Sequence, residues 1–100
     1  VPENINIEQI EQALVQVAGV QAIHDLHVWE ISSNKISLTA HAVANLTERS
    51  YEGVLSDLLR VLQTEFNIDH ATIQIEPHDS HIAKHGHDFG VAHFNSSSNI

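Results

Sequence analysis

Between Thr47 and Phe66 the apolar residues Tyr51, Val54, Leu55, Leu58, Leu59 and Leu62 recur three and four positions apart. That spacing lays one apolar stripe along a helix, which a chain can bury only against another layer. Thr47 followed by Glu48 supplies a helix start. Four shorter apolar patterns surround this helix, and together they limit the folds available. Residues 5–18 place Ile5, Ile7, Ile10, Leu14, Val17 and Ala18 at helical spacing, with Gly19 just beyond, where helices often end. Val20 to Ile31 and Lys35 to Ala44 flank the polar Ser32-Ser33-Asn34 and read as a β-hairpin, the second arm alternating Ile36, Leu38 and Ala40. Ala71 to Glu76 alternates again through Ile73 and Ile75 and stops at Pro77.

The resulting order is helix, strand, strand, helix, strand, an α+β arrangement in which two helices cover one face of a three-stranded sheet. One hundred residues hold one such core. The expected division is a folded domain over 1–77 and a polar, histidine-rich tail over 78–100. No stretch approaches the roughly 18 consecutive apolar residues of a membrane helix, and the N-terminus does not read as a signal peptide, so the chain itself is expected to be soluble.

Side-chain parity places Ser37, Thr39, His41 and Val43 on the sheet face away from the helices. If Ile31 pairs with Ile36 across the turn, His24 falls opposite Val43, diagonal to His41. The third strand sends His70, Thr72, Gln74 and Glu76 to the same outward face. Two imidazoles and a carboxylate suit a zinc-like ion with one position left over, although three solvated polar residues would look the same in sequence. By the same parity His27, Trp29 and Ile31 should face the helices, leaving Leu26 and Val28 as an outward apolar patch that suggests self-association.

Composition narrows the chemistry. Cysteine is absent and histidine occurs nine times, so any metal is held by imidazole and carboxylate. Four Lys and Arg stand against thirteen Asp and Glu, and the net charge of -9 disfavours nucleic acid and favours cations as partners. No nucleophile beside a base, no glycine-rich phosphate loop and no His-Glu-x-x-His helix is present, so an enzyme is not expected. The tail residues His78, Asp79, His81, His85, His87, Asp88 and His93 could chelate a second ion or remain a weakly binding appendage.

The segments VQAIHDLHVWEI, ISLTAHAV and ATIQIE resemble the cytoplasmic domain of the cation diffusion facilitators, and are most similar to the cobalt/zinc/cadmium resistance branch. The resemblance spans nearly all of residues 5–77. It implies a ferredoxin-like, metallochaperone-like αββαβ domain on the cytoplasmic side of an integral membrane protein, following the membrane domain of a transporter that exports Zn2+ or a similar ion such as Co2+, Cd2+ or Ni2+. It also implies a homodimer whose transport-competent arrangement metal binding favours, with His24, His41 and Glu76 as ligands. In some relatives, the resemblance implies, C-terminal cysteines complete a second site, and this chain lacks cysteine. Carried over to histidine and carboxylate, that site would fall to His70, His78, Asp79 and His81. Two other readings stay open: a free-standing metal buffer acting through its tail, and a regulatory domain of the same topology that binds a small organic molecule.

Overall fold

The computed structural model describes residues 4–78. They form α1 (Ile7–Val15), β1 (Val20–Ser32), β2 (Lys35–Ala44), α2 (Tyr51–Phe66) and β3 (His70–Pro77). The sheet order is β1-β2-β3, with β1 antiparallel to β2 and β2 parallel to β3. The central strand therefore comes from the hairpin, and α2 is the crossover that makes the parallel pairing possible.

Local chemistry sets the ends of the helices. Asn6 caps α1 by accepting from the Gln9 N–H at 3.2 Å. The second helix begins at Tyr51 rather than near Thr47, because the Asn45 side chain accepts from the Thr47 N–H at 3.0 Å and holds that segment in a turn. Ser50 is the cap instead, its hydroxyl oxygen accepting from the Gly53 N–H at 2.9 Å. At the other end Asn67 adopts a left-handed conformation and the Ile68 N–H reaches back to the Leu62 carbonyl at 3.0 Å, a Schellman ending that leaves Ile68 buried.

Leu38, Ala40, Ala42 and Ala44 of β2 and Ala71, Ile73 and Ile75 of β3 are buried together with Ile10 and Leu14 of α1 and Val54, Leu55, Leu58 and Leu62 of α2. The small side chains on the central strand leave room for the large ones on the helices, as close packing requires. Arg49 ties the two helical ends of the layer together. It donates to the Ala18 carbonyl and to Asp57, both at 2.9 Å, while its stem packs on Gly19. Gly19 has a φ of 92°, a conformation that side-chain-bearing residues rarely adopt. With Arg60 as its second partner, Asp57 is held below the ordinary carboxylate pKa, chiefly by the hydrogen bond from Arg49.

The first strand departs from the expected parity. Its pairing starts at Ser32↔Lys35, the register expected from the turn, but slips by one residue between Glu30 and Ser32 and again between His24 and His27. Between the slips Val28 is buried opposite Leu38, while His27 and Trp29 face outward opposite Thr39 and Ser37. The expectation that His27, Trp29 and Ile31 pack on the helices is therefore corrected, and so is the outward placement of Val28. Trp29 and Ile31 are the exposed large hydrophobics among the described residues, and Leu26 packs at the margin of the core. The physical reason is the bulge: one extra residue on β1 inverts every side chain until a second slip restores the phase.

Candidate metal centre

After the second slip His24 lies directly opposite His41, rather than diagonal to it, and both project from the uncovered face. Their rings stand 5.1 Å apart between centroids, tilted by 49°. On the other side of β2, Glu76 pairs with Val43, two positions past the Gln74 that pairs with His41. Its carboxylate comes back to both imidazoles: Oε2 is 2.8 Å from His41 Nδ1, and Oε1 is 3.4 Å from His24 Nε2. The structure thus assembles His24, His41 and Glu76 from three strands.

Asp25 joins this cluster, and the sequence reading missed it. Its Oδ2 lies 3.5 Å from His24 Nδ1 and 4.0 Å from His41 Nδ1. In an unbroken strand Asp25 would face the helices, opposite to His24. Its φ of 54° at the bulge brings it to the outward side. The only signal in sequence was the residue type, since Asp tolerates a left-handed backbone better than most.

The donors suit a divalent ion. Ligands of a tetrahedral zinc about 2.1 Å from the metal are about 3.4 Å from one another. Among the described residues His24, Asp25 and His41 each offer one donor atom with all three within 4.8 Å of one another, and Glu76 adjoins them at 2.8 Å from His41 Nδ1. Imidazole and carboxylate are also the ligands expected of a chain without cysteine. A shallow groove of about 380 Å³, lined in part by Asp25, His27, Thr39, His41 and Gln74, opens beside the cluster and leaves it reachable from solvent.

The other residues predicted as ligands are placed differently. His70 pairs with Ser37 at the start of β3, six residues and about 20 Å of strand away from Glu76. His78 follows the end of the same strand, exposed, with its backbone N–H donating to the Ala44 carbonyl at 2.8 Å. His70 and His78 thus sit at opposite ends of one strand and do not share a site. Asp79 and His81, and the further tail residues His85, His87, Asp88 and His93, lie outside the described residues.

The chain is thus a three-stranded α+β domain with paired imidazoles and a carboxylate on its open face. Residues 2–78 match the family described as the cytoplasmic domain of cation efflux proteins, and the chain belongs to that family. It is 37% identical over 76 residues to the metal cation efflux system protein CzcD of Cupriavidus metallidurans, covering 76% of this chain and 24% of that protein. It is 38% identical over 89 residues to a cadmium, cobalt and zinc/H(+)-K(+) antiporter of Bacillus velezensis, covering 87% of this chain and 26% of the relative. The chain therefore spans about a quarter of the length of these curated relatives. Among solved structures, the metal-bound C-terminal domain of the CzcD transporter from Cupriavidus metallidurans aligns with a TM-score of 0.67 at 36% identity, over 72% of this chain and 99% of that one. The zinc transporter homologue CzrB shares the fold, with a TM-score of 0.60 at 24% identity over 77% of this chain and 96% of its own.

Proposed function

We propose that this chain is the regulatory metal-binding and dimerising domain of a divalent-cation efflux transporter, with Zn2+ as its leading ligand, and that it binds the ion without catalysing a reaction. The observation that carries this reading is the convergence of His24, His41 and Glu76 from three separate strands on one uncovered patch. A metal-bound structure of a 36% identical domain and relatives named for zinc, cobalt and cadmium support it. This reading assigns ion transport itself to a membrane domain outside this chain, which spans about a quarter of its relatives' length. Binding here regulates by population: an ion that prefers one dimer arrangement shifts the equilibrium toward it, and it also offsets the repulsion between two strongly acidic subunits. In this reading the domain over 1–77 carries the role, and the histidine-rich tail is an accessory to it.

The test is a calorimetric Zn2+ titration of the full chain and of the His24→Ala/His41→Ala variant, with sedimentation in parallel. The native chain binds and its dimer tightens, and the variant loses the site. Retention of all binding by the variant transfers the function to the tail. Stability and association that ignore Zn2+ altogether favour an organic ligand on the same face.

A further inference from the structure

A regular strand sends neighbouring residues to opposite faces, so a His-Asp pair can offer only one of its side chains to a site on one face. The bulge in β1 removes that restriction. The Asp25 backbone turns left-handed, with a φ of 54°, and its carboxylate lies within 3.5 Å of His24 and 4.0 Å of His41. His24, Asp25 and His41 together offer donor atoms that all lie within 4.8 Å of one another. Strained backbone at a non-glycine residue persists only where the surrounding structure holds it, and it collects at functional positions.

We infer that Asp25 is a fourth metal ligand, which closes the site within one subunit as two imidazoles and two carboxylates. This inference rests on the assignment of His24, His41 and Glu76 made above. Two carboxylates balance the charge of a divalent cation, and four protein ligands leave no coordination position for a residue of the second copy or of the tail. Asp25 is also the most exposed member, with 64% of its side chain accessible against 21% for Glu76. At the edge of the groove it can meet an arriving ion first and complete the shell last. His24 presents Nδ1 to Asp25 and Nε2 to Glu76, so one of those contacts gives way when its ring turns to bind.

The experiment uses the full chain with Zn2+ in chelator competition and with Co2+ as a spectroscopic substitute. Asp25→Gly keeps the left-handed backbone and removes the carboxylate, and Asp25→Asn keeps the shape and removes the charge. Both are expected to fold as the native chain does by circular dichroism and still to bind one ion at this site. Zn2+ affinity is expected to fall by roughly tenfold or more, at least the effect of losing an outer-shell partner. The Co2+ spectrum is expected to be insensitive to azide in the native protein and to respond to azide in Asp25→Gly, where a coordination position has opened. Native affinity in both Asp25 variants, alongside loss of binding in His24→Ala/His41→Ala, overturns the fourth ligand and leaves the three-residue site standing. Unchanged binding in the double histidine variant overturns both. Affinity that rises with protein concentration shows that a second copy supplies the closing ligand, and also overturns the inference.

Discussion

The two faces of this sheet are made by the same three strands and obey different rules. On the covered face Leu38, Ala40, Ala42, Ile73 and Ile75 are buried and match the helices by volume, so a change is felt through packing. On the open face His24, His41, Asp25 and Glu76 are partly exposed and matched to one another by distance and charge. Burial stabilises the first set whatever the solvent contains, whereas under the proposed function the second set would contribute its full effect only when an ion is bound. On that reading one face maintains the fold and the other would report on its surroundings.

The sharpest way to break that division is a substitution on the covered side. Leu58→Ala is expected to destabilise the domain by about 2–5 kcal/mol, with the same loss in chelator and in Zn2+, read by urea denaturation. On the open side, Zn2+ at a hundredfold excess over its Kd is expected to stabilise the native chain by about 2.7 kcal/mol, and His24→Ala/His41→Ala to abolish that gain while leaving metal-free stability nearly intact. Equal losses with and without the ion would make the two faces one energetic unit.

The ion pairs of Asp57 sharpen the comparison from the helical layer, where charge acts with no metal involved. Its pKa is lowered in the folded state, so its contribution is complete above the unfolded carboxylate value and is lost as pH falls through the folded one. Asp57→Asn is therefore expected to melt below the native chain at neutral pH, and the gap to close under acid; a gap that widened there would reverse the sign. The smallest effect belongs to Trp29→Ser, at an open-face residue outside the metal cluster that is 43% exposed. It is expected to change chain stability by no more than about 0.5 kcal/mol and Zn2+ affinity not at all, by the same two assays.

Much of this was readable before any coordinates. Alternation in β2 and β3 named the outward residues His41 and Glu76, and the three-and-four spacing of Val54, Leu55, Leu58 and Leu62 marked the buried stripe of α2. The family resemblance pointed to the same residues, with His24 beside them. What escaped the reading was the phase of β1. Two one-residue slips add up to two by His24, so that residue keeps its expected face while its partner moves from Val43 to His41; across His27, Val28 and Trp29 only one slip applies and the faces are inverted. A bulge leaves little trace in hydrophobic periodicity, because its cause is the backbone state of one residue, Asp25, whose type permits that state without demanding it. The later start of α2 has a similar origin: both Thr47 and Ser50 are competent caps, and the Asn45 side chain settles which is used.

The contact between His41 and Glu76 joins positions 35 residues apart, across the whole crossover through α2. An ion gripping both would act as a removable clasp, favouring only those states in which the two positions stay together. Amide hydrogens throughout α2 and β3, remote from the ligands, should then exchange more slowly when the ion is bound, so that a few donor atoms on one surface set the lifetime of half the domain.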